Sequence, residues 1–426
     1  NPGVDISTVR VKVFDSVQST AYQIFDYADN ILDVNSESNA FFFEEVEDER
    51  YEMFFGDGVL GKKLDSGNKI EVTYLVTNGD ETNGAKSFTF NGIITDKFSN
   101  TGYAYNTTIN PAATVAANGG AGIESISKIK FNAPKYFSTQ DRAVTSADYA
   151  AIVRNIYPAI SDVIIYGGED AVPPEYGKVK ISIKPTQASY LSSTTKKDIV
   201  DQLKKYMVAS VTPEVIDPSI LYIEVTSSVF YNSSVTTQRP EEIRDRILAN
   251  INTYLGQSNV EKFNGKFRFS KFVSTIDGSD RSINSNDTTI MLRKDFFPQI
   301  NSSSFYEVCY QNAFYKDCDG PTLMSSGFKV SEFPSYTVYF EDRDGVIALY
   351  RLDSLTSEKI TLNDNIGSVD YEKGEVMLYD LTIIQGSYGD NRIEIRVKPE
   401  LNDINASREL YLDVDVPKSK FTVYPE

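Results

Sequence analysis

The sequence predicts a multi-domain protein, mainly β, with an α+β middle domain (a small mixed sheet with helices on one face) and a β-rich C-terminal domain. Three observations carry that expectation. Apolar and polar residues alternate with period 2 near both ends of the chain, in Lys69–Val76 and Arg392–Lys398. Helical stripes bounded by cap and stop residues occupy the middle. The 426 residues are enough for roughly two to four domains with real cores.

Residues 1–120 are expected to form a first, β-rich domain. Lys69–Val76 sets Ile70, Val72, Tyr74 and Val76 on one face, the signature of a half-buried strand. Tyr51, Met53 and Phe55 alternate likewise and run into the turn signal Gly56-Asp57-Gly58. Asn78-Gly79-Asp80 and Asn83-Gly84 punctuate the next stretch. Gly119-Gly120-Ala121-Gly122 reads as a flexible joint, and residues 121–160 as a helical connector. There Ser146 is the expected cap of a helix carrying Tyr149, Ile152, Val153 and Ile156 on one side, stopped by Pro158.

Residues 161–300 are expected as the α+β domain. Asp162–Tyr166, Lys178–Lys184, Leu221–Val225 and Thr289–Leu292 read as its strands. Thr195 and Asp198 resemble a capping box for a helix that turns Ile199, Leu203, Tyr206 and Met207 inward. Pro240 suits the first position of a second helix, with Ile243, Ile247, Leu248, Ile251 and Leu255 as its stripe and Gly256 at its end. Residues 301–426 return to β structure, with turns at Asp344-Gly345, Tyr371–Gly374 and Gly386–Gly389.

The chain has no histidine, no tryptophan and two cysteines. That excludes Ser-His-Asp and Cys-His relays, His-ligated metals and a Cys-only zinc site. A net charge of -18, from 60 acidic against 42 basic residues, opposes nucleic acid and anionic membrane, so neither is an expected partner. No stretch approaches the ~18 apolar residues of a membrane span. The start at Asn1, without initiator Met or signal region, is compatible with an internal start and a missing N-terminal region. Cys309 and Cys318 lie nine positions apart; a hairpin disulfide is geometrically open to them, and a reduced pair is the expectation without a secretion signal.

Candidate chemistry is sparse. Gly58–Leu64 lacks the spacing and the hydroxyl of a P-loop and reads as a hairpin. Glu44-Glu45, Glu47-Asp48-Glu49 and Asp277 with Asp280 and Asp287 could supply a carboxylate pair, so a glycan hydrolase is the alternative function. With 60 carboxylates, however, pairs at any spacing arise by chance. Asp277–Asp280 and Glu341–Gly345 do not match a calcium loop. No catalytic, cofactor or metal residue is expected. Phe41-Phe42-Phe43, Phe54-Phe55 and Phe296-Phe297 put neighbouring rings on opposite strand faces, which suits either a two-sided core or an interface.

Phe55-Gly56-Asp57-Gly58-Val59-Leu60-Gly61, leading into the Val72-Thr73-Tyr74 strand, resembles a signature of baseplate J-like proteins. Asn110-Pro111, Gly119–Gly122 with Glu124-Ser125, and Arg142-Ala143-Val144-Thr145 through Asp148-Tyr149 resemble further family segments in the same order. The resemblance covers about 40–300; the longer tail is similar to that of the large wedge subunits of T-even-type contractile tails. It implies a non-enzymatic virion protein of the tail baseplate, assembled in the host cytoplasm. Such proteins contact themselves as a dimer and in a ring, join other wedge subunits, and rearrange when the sheath contracts. Hub or tube and sheath-proximal proteins are further implied neighbours. It implies no cofactor, and structural roles for Phe55, Gly56, Asp57, Gly58, Gly61, Tyr74, Arg142, Asp148 and Tyr149.

Overall fold

The computed structural model describes residues 3–28, 30–46, 50–89, 116–117, 119–122, 124–171, 173–186, 188–208, 211–316, 320–407 and 409–426. The chain divides into two compact units, residues 1–85 with 117–128, and residues 86–116 with 129–426.

The first unit is a five-stranded sheet of β1 (Val4–Phe14), β2 (Tyr22–Tyr27), β3 (Ala40–Val46), β4 (Arg50–Phe55) and β5 (Lys69–Val76), in the order β4-β3-β2-β1-β5. Only β2 and β3 run parallel. Its core is small: Val11, Val13, Phe25 and Phe41, with Phe43, Met53 and Phe55 packed beside them. Of the three consecutive rings, Phe41 is buried while Phe42 and Phe43 are half-buried.

In the second unit, α1 (Ile126–Thr139), which begins in the first unit, is followed by α2 (Ser146–Ile156). Next come β6 (Ile160–Gly167), β7 (Lys178–Pro185), α3 (Ser193–Leu203) and β8 (Thr212–Ile216), with the three strands forming one sheet. Tyr149, Ile152 and Val153 of α2 and Ile199 and Leu203 of α3 share one core with Ile165, Ile181, Ile183 and Val215 of the strands. The expected connector and the start of the expected α+β domain are thus one packed body. The α3 cap is Ser192, whose Oγ accepts from the Thr195 amide at 3.1 Å, in place of the expected Thr195–Asp198 box. The helix also ends before Tyr206 and Met207; Met207 bridges Ala143 instead.

The rest of the unit surrounds a twelve-stranded sheet. Its elements are β9 (Ser219–Tyr231), α4 (Pro240–Gln257), β10 (Lys266–Phe267), α5 (Phe269–Asp277), β11 (Ile283–Phe296), β12 (Ser303–Cys309), β13 (Leu323–Ser325) and β14 (Lys329–Val330). They continue through β15 (Val338–Arg343), β16 (Val346–Leu352), β17 (Lys359–Asp370), β18 (Glu375–Gln385), β19 (Ile393–Val397), β20 (Ile404–Asn405), β21 (Leu410–Val414) and β22 (Lys420–Pro425). β10 and β20 pair apart from the large sheet. In the large sheet β9 lies between β11 and the two parallel strands β21 and β22. The α4 stripe Ile243, Ile247, Ile251 and Leu255 is buried, each side chain contributing ~1.5–3 kcal/mol, and the helix continues through Gly256 to Gln257. The Tyr310 hydroxyl, just after β12, donates to the Ile395 carbonyl at 2.6 Å, so the sheet folds back around its core. That core runs from Leu221 to Phe421, and the division expected at residue 300 falls inside it.

On the other face of β9, β11 and β19 a group of charged side chains is buried or half-buried. Arg293 on β11 stands directly opposite Arg396 on β19, and Asp295 opposite Glu394. Rows of like charge destabilise a sheet, so each row needs a third partner. Glu224 of β9 supplies the first, at 2.5 Å from Arg293 and 2.7 Å from Arg396. Asp415 adds a contact to Arg293 at 2.7 Å, and Asp295 closes on the Arg293 Nε at 2.9 Å. Arg392 bonds Asp295 at 3.2 Å, and Lys418 pairs with Glu394. Four cations thus meet four carboxylates, with Arg293 2% and Glu394 0% exposed. Burial alone would raise the Glu394 carboxyl, yet Lys418, Arg293 and Arg396 hold it at about 2.

Removing one member strands the others, because a buried charge without its partner keeps its full desolvation cost. Arg293→Met is expected to lower the unfolding free energy by about 3–5 kcal/mol, read as a shift in the urea midpoint. A change under about 1 kcal/mol would mean that the lattice contributes little.

Candidate assembly surfaces and the joint

The motif residues first. Asp57 accepts the amides of Val59 and Leu60 at 2.8 and 2.9 Å, and those two bonds, Leu60 first, hold its carboxyl below the usual range. Gly58 and Gly61 have φ of +95° and +86°, the left-handed region that glycine enters without strain. A Cβ on Gly56 would lie 2.1 Å from the Gly61 carbonyl carbon, so this approach requires glycine. The Gly61 amide then bonds Asn35 and that of Lys62 bonds Ser38, tying the turn to the segment before β3. Phe55 packs at the edge of the small core against Phe25, with ring centroids 5.8 Å apart.

Thr145, rather than the expected Ser146, caps α2. Its hydroxyl accepts the Asp148 amide at 3.2 Å while Asp148 accepts the Thr145 amide at 2.8 Å. This is a reciprocal capping box, and the bond from Thr145 lowers the Asp148 pKa. Tyr149 is buried in the core under α2; Arg142 is exposed, outside that core. The turn is held within the first unit, and the cap and the ring within the second.

Tyr74 lies elsewhere again, on β5. The strand expected to be half-buried is exposed along its whole length: Ile70 42%, Val72 38%, Tyr74 41% and Val76 52%. The alternation is right, but among the described residues no layer covers the face at this edge of the sheet. Phe54 (43%), Tyr51 (36%) and Phe297 (47%) are also exposed.

Within the second unit, the three-stranded sheet meets the large one at a polar and aromatic joint. Ile164 and Tyr190 pack against Ile220, Tyr222, Phe263 and Tyr411. Asp162 accepts the Phe263 amide at 3.0 Å, the Ser161 and Tyr411 hydroxyls lie 3.2 Å apart, and Lys184 reaches Asp413 at 3.8 Å. The Arg293 guanidinium sits over the Tyr222 ring at 4.1 Å, so the ion lattice backs directly onto this joint.

Shifted carboxyls gather here too. Burial pushes Glu261 up to about 7, helped by the Asp413 charge, against the Val414 amide and Lys184. Burial likewise raises Asp413, against the opposing pull of Lys184.

The acidic runs singled out in the sequence have local partners. Asp280 accepts from Ser282 and Arg246, and Asp277 from Asn286. Asp342 accepts the Leu323 amide and the Tyr371 hydroxyl, and Glu341 pairs with Arg343 and Lys359. Asp344 is 2.7 Å from Lys316. Glu44 and Glu52 face each other across β3 and β4 on an exposed surface, whereas Glu47, Asp48 and Glu49 lie outside the described residues. Cys309 is a free thiol beside Glu307 and Glu375; Cys318 lies outside the described residues.

Comparison with known proteins gives two adjacent matches. Residues 145–216 match the family model described as "Baseplate structural protein gp6, C-terminal domain I", and residues 219–295 the one described as "Baseplate structural protein gp6, C-terminal domain III". The first match spans the three-stranded body and the second β9 to β11, on either side of the joint. Over 284 residues, 62% of this chain, the sequence is 26% identical to "Baseplate wedge protein gp6" of Enterobacteria phage T4. The chain spans less than half of that relative's length, 42%. Among solved structures, a chain of the anti-feeding prophage baseplate is similar over 61% of this chain and 57% of its own, at 15% identity and a TM-score of 0.29.

The Glu261 shift has a defined sign. A folded-state value near 7, above the ordinary 4.5, favours the neutral acid in the fold. Its cost is therefore absent below pH ~4.5, grows as pH rises, and is complete above pH ~7. Glu261→Gln is expected to stabilise the protein by about 1–2 kcal/mol at pH 8, allowing for screening of a half-buried group, and to change little at pH 4. Urea midpoints at the two pH values measure this; equal effects at both would contradict it.

Proposed function

We propose that this chain is a structural subunit of a contractile-tail baseplate, resident in the virion and built into the wedge. The observation that carries the reading is the ordered pair of matches at 145–216 and 219–295, the first on the three-stranded body and the second on part of the large sheet, within a longer stretch similar to a baseplate wedge protein. The J-like turn and capping motifs support the same reading, because in this fold they hold a tight turn and a helix cap.

In this role the protein works through surfaces. It contacts further copies of itself and other wedge subunits, and these contacts join wedges into a ring around the hub. When the baseplate switches and the sheath contracts, interfaces exchange while rigid bodies persist. No catalytic step belongs to it. The lattice around Arg293 and the three-stranded core supply two such bodies, and the joint at Lys184 and Asp413 is where one is held against the other.

Light scattering on the purified chain at tens of micromolar is expected to give a dimer or larger species. A strictly monomeric mass would contradict self-association. Turnover of peptidoglycan or polysaccharide, abolished by a single Asp or Glu substitution, would replace the whole reading with a hydrolase.

A further inference from the structure

We propose that β5 is an open pairing edge that receives the β5 strand of a second copy of this chain, antiparallel and with the two-fold axis at Thr73, so that two five-stranded sheets become one. The inference rests on the self-association reading and assigns it a surface.

The backbone is poised for it. The Leu75 amide points inward to the Thr8 hydroxyl at 3.0 Å and the Thr77 amide to the Gly3 carbonyl at 2.9 Å. Odd-numbered residues therefore direct their backbone groups toward β1, and Ile70, Val72, Tyr74 and Val76 direct theirs outward. Among the described residues no strand pairs on that side. An unpaired edge is a template for another strand, and natural edges are guarded with charge, proline or a bulge. β4, the opposite edge, carries Arg50 and Glu52 beside Glu44. β5 carries charge only at its start, and there Glu71 already lies 3.9 Å from Lys12.

The side chains choose the occupant and the register. With Thr73 opposite Thr73, Ile70 meets Val76 and Val72 meets Tyr74, so all four apolar residues find apolar partners. On the other face Glu71 meets Leu75 and Lys69 meets Thr77, and no charge opposes a like charge. The outward-facing residues then form the hydrogen-bonded pairs, as an antiparallel ladder requires, and Thr73 falls at a close, non-hydrogen-bonded position. Moving the axis to Val72 sets Asn68 against Val76, although the Asn68 amide already bonds the Phe14 carbonyl at 3.1 Å. The joined apolar faces also extend the small core of Val11, Val13, Phe25 and Phe41 across the new seam, because Val72 pairs Val11 and Ile70 pairs Val13.

Cross-linking tests it. In a Cys309→Ser, Cys318→Ser background, Thr73→Cys should oxidise to a covalent dimer of twice the 47.6 kDa chain on a non-reducing gel, since paired Cα atoms ~4.5 Å apart are within disulfide reach. Leu75→Cys, which would face Glu71, should remain at the single-chain mass. Cross-linking at Leu75 instead, or at neither position in a sample that light scattering shows to be dimeric, overturns the pairing edge and leaves self-association standing. A sample monomeric by both measurements overturns both.

Discussion

The second unit depends on how Arg293 is neutralised. Its guanidinium is buried between Glu224, Asp295 and Asp415, contributed by β9, by β11 itself and by the turn after β21. Burial of so many charges is not a source of stability in itself, because desolvation consumes much of the Coulombic gain. What the lattice supplies is register. Sliding β19 by two residues along β11 would keep every isoleucine on the apolar face but exchange every partner on the charged face, with Arg293 moving from opposite Arg396 to opposite Glu394. The apolar face does not distinguish the two registers; the charged face does.

From that register the rest follows. Fixing β9 against β11 and β19 fixes β21 and β22, which pair with β9 in parallel, and therefore Asp413 and Tyr411 on the joint. Tyr222, between the joint and the Arg293 guanidinium, couples the two directly. The joint between the large sheet and the three-stranded body combines a buried aromatic and apolar cluster with single hydroxyl, amide and ion-pair contacts.

Much of this was legible in the sequence, and the failures have physical reasons. Alternation at Arg392–Lys398 located β19, and the stripe from Ile243 to Leu255 located α4, because periodicity reports which residues share a face. It does not report what covers that face. Glu394 occupies the polar side of a cleanly alternating strand and is withdrawn from water, with Arg396 beside it half-buried, while Ile70, Val72 and Tyr74 occupy the apolar side of another and are exposed. Caps were displaced by a few residues, to Thr145 and Ser192, since several hydroxyls precede each helix and only geometry selects among them. The lattice partners lie far apart in the chain, from Glu224 to Lys418, and among 60 carboxylates nothing local marks those that pair. Gly56, Asp57, Gly58 and Asp148 act locally, since turns and a cap close within a few residues.

The central claim is that charges drawn from both sides of residue 300 bind β9, β11, β19 and the C-terminal strands into one cooperative body. Native-state hydrogen exchange read by mass spectrometry across a urea series tests it most directly. Amides in 219–231, 283–296, 393–397 and 410–425 should lose protection together, at one common opening free energy. If 301–397 keeps its protection while 219–296 has already opened, the sheet is two bodies in contact and the account fails.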